Sequence, residues 1–104
     1  MTLETSTLRA CMEYLKLRRI AAWRINTIGV PIAGAPGKFR PSPSRGVSDI
    51  IAVHHGKPIA IEVKSERGQQ SRQQMEFEDK WRAAGGHYLM VRSVGELKDY
   101  FEPR

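Results

Sequence analysis

The sequence predicts a small α/β domain in which helices flank a short sheet, with its elements in the order α-β-β-β-α-β-α. Two observations carry this prediction. Apolar residues follow helical spacing in three segments, and two apolar runs, residues 47–53 and 58–64, stand on either side of a four-residue turn. The chain has 104 residues, 40% of them hydrophobic, and this length fits a single domain over residues 1–104.

The first helix is predicted from Leu3 to about residue 19, because apolar side chains recur there with a period near 3.6. The members of this stripe are Leu3, Leu8, Cys11, Met12 and Leu15, with Leu17 as a further candidate. Glu4 lies on the same stripe, four residues before Leu8, so we expect its carboxylate to point inward. The alternative is an ordinary first-turn acid, favoured by the helix dipole.

The next segments are a short strand and a long loop. Residues 21–27 are rich in β-branched and aromatic side chains, which favours a strand. Residues 29–46 are rich in Gly, Pro, Ser and bases, which predicts a long exposed loop. Trp23 lies in the strand pattern and Trp81 in a helical one, so both are predicted to belong to the core, and the alternative is that they are platforms on which bases stack.

The second half begins with a β-hairpin, residues 47–53 and 58–64, whose turn holds His54 and His55, both expected to be exposed. Ser71-x-x-Gln74 has the form of a capping box and opens a helix that Gly85-Gly86 closes. A last strand over residues 87–91 and a C-terminal helix after Ser93 follow. This strand and this helix are predicted from the local sequence pattern alone.

Charge and cysteine content limit the function classes. The net charge of +6 lies entirely in residues 1–48, which favours a polyanionic partner such as nucleic acid. The single cysteine, Cys11, excludes an internal disulfide and a cysteine-based zinc cluster, so any bound metal would have oxygen ligands. No run approaches the ~20 apolar residues of a membrane span and no secretory signal is present. We expect a cytoplasmic protein with no membrane partner and no small-molecule cofactor.

One group of residues stands out chemically. Asp49 interrupts the first apolar run of the hairpin, and Glu62 and Lys64 interrupt the second. Burying such groups is costly without partners, and two carboxylates meeting an ammonium on one sheet face would supply them. Mg²⁺ prefers oxygen ligands, so Asp49 and Glu62 are candidate metal ligands. The alternative is a strand-face ion pair between Glu62 and Lys64, with Asp49 capping a turn.

These residues resemble the PD-(D/E)XK phosphodiesterase superfamily, whose signature is an acid followed by Glu/Asp-x-Lys on a hairpin. The finer pattern is similar to the stand-alone virus-type replication-repair nuclease (VRR-NUC) domains. It extends from Glu4 to about Val94, and Ser48 departs from it where a proline is frequent. The matching residues are Glu4, Arg24-Ile25-Asn26, Gly46-Val47-Ser48-Asp49-Ile50, Ile61-Glu62-Val63-Lys64, Gly68 and Ser71-x-x-Gln74.

The resemblance implies a restriction-endonuclease-like core: a small mixed sheet flanked by helices, in the order α-β-β-β-α-β with a C-terminal helix. It implies that Mg²⁺ or Mn²⁺ is bound by Asp49, Glu62 and the Val63 carbonyl, and that Lys64 is catalytic. Glu4 would be an additional site acid. Gln74 would lie beside the site, and it is alternatively only the capping-box side chain.

The expected function is therefore a metal-dependent DNA endonuclease. Lys38, Arg40 and Arg45 are the candidates for DNA backbone contacts, and Asn26 either touches the scissile phosphate or bonds a neighbouring loop. The resemblance suggests a homodimer that cuts branched DNA such as four-way (Holliday) junctions, encoded by a bacterium or phage. The alternatives are a flap or other structure-specific nuclease, a non-catalytic DNA-binding module with the same fold, and a sequence-reading restriction enzyme, which the short chain disfavours.

Overall fold

The computed structural model describes residues 2–25, 30–40 and 45–103. Within these ranges the chain forms three helices and six strands. The helices are α1 (Leu3–Leu17), α2 (Arg72–Ala83) and α3 (Val94–Phe101). The strands are β1 (Ala21–Arg24), β2 (Val30–Pro31), β3 (Phe39–Arg40), β4 (Ile50–His54), β5 (Lys57–Val63) and β6 (His87–Val91).

Four strands form a mixed sheet in the order β1-β4-β5-β6. β1 and β5 both pair antiparallel to β4, whereas β5 and β6 pair in parallel. A parallel pair needs a long crossover connection, and α2 provides it. This mixed sheet with flanking helices confirms the predicted α/β fold.

The segment predicted as one long loop contains a separate two-stranded ladder. β2 pairs antiparallel with β3, with Val30 opposite Arg40 and Pro31 opposite Phe39. The Ile32 N–H donates to the Lys38 carbonyl at 3.0 Å inside this hairpin. The prediction of an uninterrupted loop is therefore wrong, because strands of two residues are too short to show an alternating pattern in the sequence.

The main hairpin is confirmed, with shifted limits: β4 continues to His54 and β5 begins at Lys57, so the turn has two residues where four were predicted. Its turn is His55-Gly56, and φ is positive at both residues, 51° and 79°, as a two-residue type I′ turn requires. β4 begins only at Ile50 and β5 ends at Val63. Asp49 and Lys64, predicted to lie within strands, therefore stand immediately outside the strand ends.

The core lies on one face of the sheet, beneath α1 and α3. Its buried members come from both layers: Leu8, Cys11, Leu15, Ile50, Ala52, Ile59, Ile61, Val63, Val91 and Leu97. The first-helix stripe is confirmed at Leu8, Cys11 and Leu15, but Leu3 is exposed, because it lies at the open N-terminal end of α1. No described helix is long and apolar enough to span a membrane.

The opposite side of the sheet, which we call the second face, carries the alternate residues Trp23, Ile51, Ala60, Glu62 and Tyr88, as the register and the period of two require. α2 covers only part of this face. The Phe77 ring on α2 packs 6.3 Å from the Tyr88 ring and 5.4 Å from the half-buried Trp81 ring. Trp23 is 57% exposed, so its prediction as a core residue is wrong.

Candidate active site

The two acids of the sequence motif meet at one end of the sheet. Ile50 pairs with Ile61, and one more step of this antiparallel register sets Asp49 opposite Glu62 on the second face. The Asp49 Oδ2 atom accepts a hydrogen bond of 2.8 Å from the Val63 N–H. Asp49 is therefore tied to the neighbouring strand. The ion pair between Lys64 and Glu62 that belongs to the alternative interpretation is also present, at 3.6 Å.

Glu62 is a buried carboxylate, with 2% of its surface exposed. Its Oε2 atom receives both described contacts: the Gln74 Nε2–H donates at 2.9 Å, and the Lys64 ammonium lies at 3.6 Å. Its Oε1 atom is also buried, and no described residue donates to it. A buried carboxylate oxygen without a donor is costly, so this atom is available to a cation.

The electrostatic setting of Glu62 differs from that of an ordinary surface acid. Its pKa is raised to about 7, chiefly by burial and then by the negative charge of Asp49, although the Lys64 ammonium lowers it. The two effects that oppose ionisation therefore outweigh the nearby ammonium. A site of this kind gains from an additional positive charge.

Gln74 performs both of the roles considered for it. Its Oε1 atom accepts from the Ser71 N–H at 2.8 Å and its backbone N–H donates to the Ser71 hydroxyl at 3.2 Å, which completes the capping box of α2. Its Nε2 group remains free to bind Glu62. The cap thus fixes the rotamer that reaches the site.

Gly46 allows the chain before Asp49 to pass against α2. Its φ is +88°, and a Cβ added there would lie 2.7 Å from the Gln73 carbonyl oxygen. Only glycine fits both the conformation and the space. The Asp49 carbonyl accepts from the Ile25 N–H at 2.8 Å, so the backbone at Asp49 is also held from β1.

Arg92 is a structural residue of this region that the sequence motifs did not indicate. Its guanidinium donates to the Ser65 carbonyl and to the Glu66 and Gly68 carbonyls at 3.2 and 2.8 Å. It thereby holds the turn that leads from Lys64 towards α2. The parallel register of Val63 with Val91 sets residue 92 beside residue 64. The position of Arg92 next to the site could be inferred only from that strand pairing.

The other predicted site residues lie at varying distance from this pair of acids. Glu4 is half-buried in α1, but across the described ranges no three His, Cys, Asp or Glu side chains come together as a metal cluster, so Glu4 is not gathered with Asp49 and Glu62. Lys38, Arg40 and Arg45 are exposed. Asn26 lies outside the described residues.

Arg45 and the histidine pair have identifiable surroundings. Arg45 lines a cavity of about 200 Å³ with the α2 residues Gln73, Glu76, Phe77 and Lys80. His55 is exposed, as expected, whereas the His54 ring is half-buried, stacked 3.9 Å from His55 and 5.3 Å from the Phe101 ring. His54 belongs to the opposite end of β4 from Asp49.

The donor set fits a small divalent cation. Asp49 and Glu62 supply carboxylate oxygens at one point of the second face, and the buried Oε1 atom of Glu62 lacks a described partner. Mg²⁺ and Mn²⁺ both accept ligands of this type, and Mg²⁺ keeps waters in the positions that the protein does not fill.

We expect Glu62→Gln to stabilise the metal-free protein at alkaline pH. The pKa of Glu62 rises from 4.5 to about 7 on folding, so the stability that this proton contributes is full below pH 4.5 and is lost as the pH rises through 7. Glutamine cannot ionise, and the variant should gain about 1–2 kcal/mol over wild type at pH 8 and little at pH 4.5. Urea unfolding in EDTA at both pH values measures this.

The matched control is Glu66→Gln, because Glu66 is exposed and lies just four residues further along the chain. It should change the free energy of unfolding by less than about 0.5 kcal/mol at either pH. If Glu62→Gln changes the free energy of unfolding equally at pH 4.5 and pH 8, burial and Asp49 do not raise the pKa of Glu62.

We expect Arg92→Met to loosen the turn after Lys64. The change removes the guanidinium from three carbonyls, of which that of Ser65 keeps the Gly68 N–H as a donor, and should lower the free energy of unfolding by about 1–3 kcal/mol. Amide hydrogen exchange over residues 64–70 should become faster. Arg72→Met is the control, because Arg72 is 87% exposed and forms only a surface ion pair with Glu76. Equal behaviour of the two variants would exclude the proposed role of Arg92.

Comparison with known proteins supports the fold. No protein-family model and no curated protein matches the sequence. Among solved structures, one titled "VRR_NUC domain" aligns over 100% of this chain and 100% of its own, with a TM-score of 0.70 and 16% identity. An identity this low speaks for the fold alone. The chain therefore has the fold of a VRR_NUC domain, the fold that its Asp49 and Glu62-Val63-Lys64 motif predicted.

Proposed function

We propose that this chain is a metal-dependent nuclease that hydrolyses DNA phosphodiester bonds. The observation that carries the proposal is the buried Glu62 carboxylate, which lies opposite Asp49 and beside Lys64 and has one oxygen to which no described residue donates a hydrogen bond. The VRR_NUC fold supports membership of a nuclease class. Asp49, Glu62 and the Val63 carbonyl are the proposed ligands of Mg²⁺ or Mn²⁺.

A cation held there would polarise a phosphoryl oxygen and make a coordinated water more acidic. The protein's own residues supply the remaining functions. The Lys64 ammonium, 14% exposed, is close enough to Glu62 to orient the attacking water and to stabilise negative charge on the phosphate. Gln74 acts as a positioning residue, because it fixes Glu62 through the capping box.

Residues outside the acid pair have supporting roles in the proposal. Lys38, Arg40 and Arg45 are exposed cations that would contact DNA phosphates without reading sequence. Asn26 is proposed to touch the scissile phosphate. Glu4, half-buried in the first turn of α1, is proposed as an additional acid that would have to approach the pair when metal and DNA bind.

The proposed substrate is branched DNA, and the proposed assembly is a homodimer. A domain of 104 residues offers little surface for gripping a long duplex, whereas two copies would provide two sites for paired cuts across a four-way junction. Such an enzyme would act in the bacterial cytoplasm, whether encoded by a bacterium or a phage. A monomer by light scattering, with and without junction DNA, would contradict the dimer.

A cleavage assay tests the function directly. Purified protein is incubated with labelled four-way junction, flap, single-stranded and linear duplex DNA in Mg²⁺, Mn²⁺ or EDTA. We expect metal-dependent cutting that Asp49→Ala and Lys64→Ala each lower by at least about 100-fold, because each removes a charge from the reacting centre. The controls are Asp79→Ala and Lys57→Ala, exposed residues of the same types, which should cut like wild type.

The substrates separate the alternatives. Symmetric nicks confined to the junction support a junction-resolving enzyme, and cuts confined to the flap indicate another structure-specific nuclease. A fixed pattern on linear duplex indicates a restriction enzyme. Failure to cut any substrate, with salt-sensitive binding that survives in all the variants, would replace the nuclease by a non-catalytic DNA-binding module.

A further inference from the structure

The second face is open on the side of β1 and β4. α2 shields the β6 side, where Phe77 contacts Tyr88, but it leaves Trp23 57% exposed and Val53 42% exposed. Ile51 between them is half-buried. A tryptophan this exposed in a strand is unusual, because its large apolar surface gains most from burial.

Trp23 lies close to the acid pair. It stands opposite Ile51 in the register of β1 with β4, and Asp49 is two residues from Ile51 on the same face. Diagonal neighbours in an antiparallel pair are roughly 7–8 Å apart. Side chains stand nearly perpendicular to a sheet, so the indole projects from the second face directly beside the proposed metal ligands. One nucleotide of an extended strand spans this separation.

The outer edge of β1 is positively charged. A cavity of about 600 Å³ runs between α1 and β1 and is lined by Arg9, Lys16 and Arg19, with Glu13 as its acid. Trp23 lines the same cavity. The exposed Arg24 follows it in the chain. The open aromatic surface therefore lies between the acid pair and a strip of cations, a combination typical of grooves that follow a single nucleic-acid strand.

The positive charge along β1 also decides which of two partners, a second copy of this chain or a DNA strand, fits the open surface around Trp23. A second copy seated edge to edge on β1 would bring Arg9, Lys16 and Arg19 of each chain together, and like charges across an interface oppose association. A DNA strand carries the complementary charge. Bases inside a duplex stack on each other, so only an unpaired or displaced base can present its ring face to an indole.

We propose that Trp23 stacks on an unpaired base next to the phosphate that is cut, and that it thereby selects DNA with displaced nucleotides. This inference rests on the proposed nuclease function. It adds a specificity residue that belongs neither to the Asp49, Glu62 and Lys64 group nor to the predicted Lys38, Arg40 and Arg45 contacts.

Binding tests the proposal without requiring cleavage. Four-way junction and flap DNA carrying 2-aminopurine at successive positions near the branch are titrated with Asp49→Asn protein in EDTA, and the same label is placed inside linear duplex as reference. We expect quenching of 2-aminopurine at one unpaired position. Trp23→Leu should remove this quenching and weaken binding of branched DNA about tenfold, with less than a twofold change for linear duplex.

Two further variants make the result specific. Trp23→Phe keeps a ring and should retain part of the quenching and of the affinity. Leu17→Ala removes an apolar side chain that is 75% exposed on α1 and should bind like the parent protein. Circular dichroism and urea unfolding of each variant establish that the fold is intact.

Each outcome decides the proposal. Equal binding and quenching by Trp23→Leu and the parent overturn it, as does an equal loss for branched and linear DNA. If Trp23→Leu changes the oligomeric state measured by light scattering, Trp23 forms a contact between chains and the proposal is overturned. If wild type cuts no DNA while the position-specific quenching persists and depends on Trp23, the nuclease function fails but the base-stacking contact stands.

Discussion

The burial of Glu62 is the constraint on which the surrounding structure depends. A carboxylate with 2% exposure in a central strand would cost several kcal/mol if nothing compensated it. Among the described residues, Gln74 and Lys64 compensate one of its two oxygens, and none donates to the other. Asp49 makes the ionised form less favourable still. A buried acid whose surroundings oppose its ionisation is a common property of functional sites.

Residues from separate elements hold this arrangement in place. Gly46 brings the segment before Asp49 against the N-terminus of α2, and the capping box there directs Gln74 to Glu62. Arg92, after β6, fixes the turn that follows Lys64. The capping box and Arg92 therefore do more than stabilise local structure, since each limits where a charged atom of the site lies.

The sequence was sufficient to predict that Asp49 and Glu62 lie together, but not the exposure of Trp23 or the contacts of Arg92 around them. Period-two alternation in the hairpin and the spacing of Asp49 from Glu62-Val63-Lys64 specified which side chains share a face. The Ser71-x-x-Gln74 spacing likewise specified the start of α2. Trp23 was misassigned because periodicity identifies the face of a residue without revealing whether a helix covers that face. Arg92 was missed because its partners are backbone carbonyls, which carry no signature in the sequence.

The two faces of the sheet separate the hydrophobic core from the candidate site. α1 and α3 bury the core face, with Ile50, Ile61 and Leu97 fully enclosed, and that face provides the hydrophobic stabilisation of the domain. The second face bears Glu62 and is covered by α2 only in part. A second helix on this face, over β1 and β4, would bury Trp23 and add stability, but it would also close the approach to Asp49. The exposure of Trp23 is therefore the cost of keeping that approach open, and an exposed apolar surface in so small a domain is typical of an interaction site.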